Sequence, residues 1–203
     1  MMEYLQYAPV ASVIFVLTIA CTLWAFNDEN IYVRFILNPY TVSRGGRVYT
    51  VITSGFIHKD WNHLFFNMFS YYFFAFQLET MIGHWQFGVL YFLSLILSDL
   101  PSIQKHKEDI WYNSLGASGA ISAVIFSYIM FDPLAKMGLL IIPGLEFPAW
   151  VFGGLYLIYC HFASKHARDN VNHDAHLFGA ISGIFITIAL NHDVVNQFIS
   201  KFK

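Results

Sequence analysis

Charge is what this chain has least of. Asp, Glu, Lys and Arg together make up 12% of its 203 residues, about half the 25% or so of a soluble domain. That scarcity, with 57% hydrophobic residues and a mean hydropathy of +0.51, excludes an ordinary soluble enzyme and indicates an integral membrane protein. The formal charge of -2 offers no basic surface to nucleic acid. The two cysteines, Cys21 and Cys160, both lie in apolar runs, which favours packing over a disulfide. The first apolar run has no basic residues ahead of it and no small-residue cleavage signal, so it reads as a retained span. There is no His-Glu-x-x-His, no Cys/His cluster along the sequence and no phosphate-binding glycine loop. No cofactor and no metal are expected.

Long apolar runs are present instead. A bilayer core asks for about 20 apolar residues, fewer where the membrane thins. Six runs approach that length: 9–26, 61–78, 85–103, 115–131, 147–163 and 175–190. Polar or helix-breaking segments separate them: Asn27–Asn30, Gly83, Gln104–Asp109, Asp132-Pro133 and Lys165–Asp174. The stretch Ile31–Ile57, interrupted by Pro39 and Gly45-Gly46, is too irregular to span and too apolar for a solvated loop. It reads as a partly embedded first loop, and Leu139–Ile142 as a shorter case of the same kind. The expected fold is all-α, a polytopic bundle of six helices in a single domain over residues 1–203. The five tryptophans suit interfacial anchors.

Six spans make the second, fourth and sixth run in one direction. Their N-terminal ends then share a face, which brings His63, Asn67, Ser118 and His176 to similar depth. Polar side chains within a membrane are costly and usually functional. A serine hydroxyl needs a base to take its proton, and His176 is the candidate. Gly179 and Gly183 lie one turn apart on the sixth span. Gly116, Ala117, Gly119 and Ala120 give the fourth an equally thin surface, so the two can pack closely. Taken alone, Gly179-x-x-x-Gly183 is only a packing motif; beside His176 and Gly116-Ala117-Ser118-Gly119 it suggests a Ser–His dyad. Asn67 and His63, also one turn apart, can donate hydrogen bonds to a developing oxyanion, together with the Ser118 backbone N–H at the helix start. No acid offers itself as a third member: Asp174 lies two residues from His176 and so points away. The other histidines, His84, His106, His161, His166, His173 and His192, read as interfacial or loop residues, and His58 as a structural hydrogen-bonding group before the second helix.

The combination of His58, His63-x-x-x-Asn67, Gly116-Ala117-Ser118-Gly119 and His176-x-x-Gly179-x-x-x-Gly183, with Glu79 in the second helix, resembles the rhomboid family of intramembrane serine proteases. The resemblance covers about residues 53–190. It implies a six-helix bundle in which Ser118 is the nucleophile, His176 the general base and acid, and Asn67, His63 and the Ser118 N–H the oxyanion donors. It also implies transmembrane proteins as substrates, lipid as surroundings and a bacterial plasma membrane as location. Finally, it places both termini in the cytoplasm and the site open to the outside. Charge points the other way: that orientation leaves only Lys136, Lys201 and Lys203 inside and puts Arg34, Arg44, Arg47, Lys59, Lys105, Lys107, Lys165 and Arg168 outside. Two positions depart from the family pattern. Tyr49-Thr50 stands where a Trp-Arg pair is usual, with Arg47 displaced toward the N-terminus. Ser122 stands four residues after Ser118, where an aromatic usually packs on the imidazole. Either His176 is held less firmly or another ring takes that place.

Overall fold

The computed structural model describes residues 2–139, 142–166 and 171–203. Its long helices are α2 (Pro9–Asn27), α6 (Trp61–Ile82), α7 (His84–Lys105), α8 (Ser118–Phe131), α9 (Ala149–His166) and α10 (His173–Leu190). A short α1 (Met2–Tyr7) precedes them and α11 (Val194–Ser200) follows. Three of the long helices, α2, α7 and α10, are both long and apolar enough to cross a membrane, and α8 is a shorter apolar helix. This corrects the six-span expectation by that measure. α6 has the length, but His63, Asn67, Gln77 and Glu79 dilute its apolar stretch with polar groups. α9 carries Tyr156, Tyr159, His161 and Lys165.

The first loop is structured, as its mixed composition suggested. It holds α3 (Glu29–Phe35), α4 (Pro39–Val42), α5 (Thr50–Thr53) and a 3-10 turn over Ser54–Phe56. Asp28 and Asn38 cap α3 and α4 with side-chain oxygens, accepting from the Asn30 and Thr41 N–H groups. Arg47, with φ of 45°, donates to the Val33 carbonyl at 2.8 Å and so still latches the loop from its displaced position. The expectation of a purely all-α chain needs one correction. Strands β1 (Lys136–Leu139) and β2 (Ile142–Pro148) form an antiparallel hairpin where an embedded loop had been expected, because Lys136 pairs with Pro148 and Met137 with Phe147 in register. Residues 140 and 141 lie outside the described residues, as does Arg168.

The three helices of the parity argument do run together. Thr187 Oγ1 lies 2.7 Å from Ser127 Oγ. A Cβ on Gly183 would fall 2.5 Å from the Ala123 Cα, and one on Gly179 would overlap the Gly119 carbonyl oxygen. The partners 119/179, 123/183 and 127/187 keep a constant offset, which only parallel helices in a fixed register can do. α6 joins them in the same direction, with His63 against Gly116 near one end and Phe74 against Tyr128 near the other.

Glu79 ties this bundle to α2. Its side chain is fully buried, and its two carboxylate oxygens accept from the backbone N–H groups of Val10 at 3.1 Å and Ala11 at 2.6 Å. Those are among the donors that a helix start leaves without intrahelical partners, and the dipole there favours negative charge. His84 Nδ1 approaches the same carboxylate at 2.7 Å, so this histidine has a specific partner and is not a bare interfacial residue. Outside this core all five tryptophans are exposed, as interfacial anchors would be.

Three substitutions test this packing. Glu79→Ala strands the Val10 and Ala11 donors and is expected to cost about 1–3 kcal/mol, read as a lowered thermal midpoint in detergent. Alanine is favoured over glycine in a helix by about 1 kcal/mol, so Gly154→Ala, which meets nothing within 4 Å, is expected to be neutral or stabilising. Gly179→Ala meets backbone that no side-chain rotation can relieve, and is expected to lower the midpoint despite the same propensity gain.

Candidate functional site

Ser118 is the first residue of α8, and no side chain caps this helix start among the described residues. α6 and α10 differ: Asp60 accepts from the His63 N–H and Asn172 from the Ala175 N–H. The donors at the mouth of α8 are therefore left for another acceptor, which is the arrangement that holds developing negative charge. The chain enters it through Gly116, whose φ of +114° is a region side chains rarely adopt and whose missing Cβ leaves room for the His63 ring. An added Cβ there would fall 2.6 Å from His63 Cε1 and 2.8 Å from Nε2.

The approach to Ser118 is clamped from three sides. Ser114 and Leu37 form a backbone bridge, with Leu37 N donating to Ser114 O at 3.0 Å and Ser114 N to Leu37 O at 2.9 Å. Gly116 N donates to Ser54 O at 2.9 Å. Asn38 Nδ2 donates to the carbonyls of Tyr112 and Ile110, holding the strand-like segment to the first loop. Asn172 supplies the third side: its amide donates to Ser114 Oγ at 3.1 Å, while its oxygen caps α10 and accepts from Ser102 Oγ at 3.0 Å. One side chain thus fixes the start of His176's helix against the segment leading into Ser118. Nothing in the local sequence distinguishes Asn172 from a loop residue; only the tertiary contacts do.

His176 lies in the first turn of α10, half-buried, one turn before Gly179. Because Gly179 rests on the Gly119 backbone and the helices are parallel, Ser118 and His176 occupy matching ends of one contact. Asp174 is indeed turned elsewhere: it accepts from Lys105 Nζ at 2.7 Å. His63 and Asn67 share a face of α6, with Asn67 Nδ2 donating to the His63 carbonyl at 2.9 Å. One Asn67 N–H is therefore spent on its own helix and the second is the one available to an oxyanion.

The ring missing at Ser122 comes from another helix. Tyr156 of α9 stacks on the His176 imidazole, with centroids 6.4 Å apart and planes 18° from parallel. Its hydroxyl shares a hydrogen bond of 3.0 Å with Ser122 Oγ. The serine thus anchors the tyrosine that replaces the aromatic it displaced. A pairing between positions 122 and 156 has no local signature, which is why sequence reasoning saw the vacancy and missed its occupant. His173 likewise departs from the sequence reading: it is buried in the first turn of α10, with its ring edge-on to Tyr159 at 5.5 Å.

His58 does hold a structural hydrogen bond. It is fully buried, with Nδ1 3.0 Å from Thr22 Oγ1, joining the end of the first loop to α2. Burial, then the neighbouring His63, pushes its pKa from 6.5 down to about 3. The folded protein keeps it neutral, while the unfolded chain takes up a proton below 6.5. Its contribution to stability is therefore complete above pH 6.5 and is lost progressively as pH falls toward 3. A series of thermal midpoints against pH is expected to decline across that window, and less steeply in His58→Gln.

Comparison with known proteins shows the family. Residues 45–192 match the family model described as "Rhomboid domain". The chain is 28% identical over 189 residues to the "Putative rhomboid protease YdcA" of Bacillus subtilis, covering 91% of this chain and 89% of that one. It is 31% identical over 144 residues to "Rhomboid protein 1, mitochondrial" of Saccharomyces cerevisiae, covering 66% and 40% respectively. With "Presenilin-associated rhomboid-like protein A, mitochondrial" of Danio rerio the identity is 27% over 174 residues, covering 80% and 43%. The chain spans nearly all of the bacterial relative but about two fifths of the two mitochondrial ones. With the match running from the first loop through the sixth long helix, this chain belongs to the rhomboid family of membrane proteins.

Proposed function

We propose that the protein is an intramembrane serine endopeptidase, a single rhomboid domain over residues 1–203 that cleaves transmembrane segments of other membrane proteins near the outer face of the bilayer. One observation carries the reading. Glycine-to-backbone contact between α8 and α10 sets the uncapped start of α8, at Ser118, against the first turn of α10, at His176. The family membership and the bacterial relative named as a putative protease support it.

In this mechanism a substrate helix unwinds locally, because a helical peptide carbonyl is hydrogen-bonded and shielded. The Ser118 oxygen attacks that carbonyl carbon as His176 takes the hydroxyl proton. The resulting oxyanion is held by the Ser118 backbone N–H, the remaining Asn67 amide N–H and the His63 imidazole. His176 then passes the proton to the leaving amine, the C–N bond breaks, and an acyl-serine remains. Water, activated by the same imidazole, attacks the acyl carbon and releases the carboxyl product. Every step is proton transfer and nucleophilic attack, and none calls for a cofactor. In this reading both termini are cytoplasmic, in a bacterial plasma membrane. The charge conflict softens because Arg44 is engaged with Glu108 and the Lys107 carbonyl, and Lys105 with Asp174, within structured loops.

Fluorophosphonate labelling in detergent tests the dyad. Wild type is expected to label, Ser118→Ala not at all, and His176→Ala at least about a thousandfold more slowly; equal labelling of wild type and Ser118→Ala would sink the assignment. Cleavage of a generic transmembrane substrate is expected to follow the same order. Tyr156 acts through His176 as a positioning residue. Tyr156→Phe, which keeps the stacked ring, is expected to lose only a few-fold in kcat, about one hydrogen bond's worth. Tyr156→Ala is expected to lose far more in kcat than in KM and to shift the acidic limb of the pH profile, a shift that a merely structural residue would not produce.

A further inference from the structure

Cys160, His173 and His176 form a cluster that the proposed mechanism uses only in part. Their ligand atoms, one sulfur and two imidazole nitrogens, all lie within 4.8 Å of one another. Cys160 is fully buried, His173 nearly so, and His176 half-open, so the cluster has a protein-enclosed floor and one accessible side. Its construction is regular. His173 and His176 are three residues apart on one face of α10, and Cys160 lies one turn beyond Tyr156 on the α9 face that looks at them. The sequence hides it because Cys160 and the histidines lie on different helices with a loop between them.

We propose that these three side chains bind a thiophilic divalent cation of the zinc type, and that the bound metal switches the peptidase off. Thiolate plus two imidazoles is a donor set for zinc and its neighbours; magnesium and calcium prefer oxygen. Zinc bonds of about 2.0–2.1 Å to nitrogen and 2.3 Å to sulfur put tetrahedral ligands roughly 3.3–3.7 Å apart. Ligand atoms that lie within 4.8 Å of one another have about an ångström to close to reach that spacing. Binding replaces the Cys160 thiol proton with the metal, so one proton is released, and each imidazole gives a nitrogen lone pair. The fourth position is left to water. The lone pair taken from His176 is no longer available to accept the Ser118 proton, so the metal-bound protein cannot activate its nucleophile. Only this inhibitory consequence rests on the proposed dyad; the binding site stands on the cluster alone.

The test has two arms on the full chain in detergent. In the first, cobalt(II) replaces zinc as a spectroscopic probe. Wild type and Ser118→Ala are expected to develop a thiolate-to-cobalt charge-transfer band and the intense visible bands of tetrahedral cobalt, both abolished by added zinc and untouched by magnesium. Cys160→Ala is expected to lose the charge-transfer band, and His173→Gln to bind at least about tenfold more weakly. Absence of the charge-transfer band in wild type, or its persistence in Cys160→Ala, overturns the site. In the second arm, zinc is expected to block fluorophosphonate labelling of Ser118 in wild type, with at least about tenfold more zinc needed in Cys160→Ala and His173→Gln. Cobalt binding without zinc protection overturns the inhibitory role. Failure of wild type to label even with metal removed by chelator counts against the peptidase reading, and the cobalt arm still decides the metal site.

Discussion

No side chain fits between Gly179 and the carbonyl of Gly119, and the arrangement of the site depends on that contact. In lipid, apolar side chains gain little by meeting each other, so close backbone packing and interhelical hydrogen bonds carry helix association. Gly179 and Gly183 on α10 lie on Gly119 and Ala123 of α8, and Thr187 meets Ser127 one turn further on. The register this imposes sets Ser118 and His176 at the same end. A methyl group at Gly179 would push apart the two helices whose ends carry Ser118 and His176.

The remaining polar groups mainly hold that pair in place. Asn172 binds the start of α10 to Ser102 and to the segment entering α8, and Ser54 and Leu37 hold the same segment through its backbone. Glu79 caps α2 from the far part of α6, while His58 joins the first loop to α2 through Thr22. Each of these groups makes at least one hydrogen bond where it is buried, which lowers the cost of placing it in a low-dielectric interior. The result is a rigid frame around a site whose own donors, at the start of α8, are left uncapped.

α9 stands apart in what it brings. It adds no residue to the four polar groups that converge from α6, α8 and α10, yet its Tyr156 lies on the His176 ring and its Cys160 beside the same ring. Under the proposed mechanism and the proposed metal site, this one helix would both steady the base and offer a competing ligand. Ser122, which looked like a weakness in the helix carrying Ser118, is the hydroxyl that anchors Tyr156.

Composition and spacing by themselves determined the membrane class, the direction shared by α6, α8 and α10, and the candidates Ser118, His176, His63 and Asn67. They could do so because hydropathy, helical periodicity and small-residue faces are local properties. Span number was less legible: aromatic and polar residues make α6 and α9 ambiguous by composition, and a hairpin replaces the loop after α8. Tertiary structure alone decided which groups His84, Asn172, Tyr156, His173 and Cys160 meet. Each meets its partner across separate helices or turns, and a side chain's partner across a bundle is set by packing register, which a single sequence does not display.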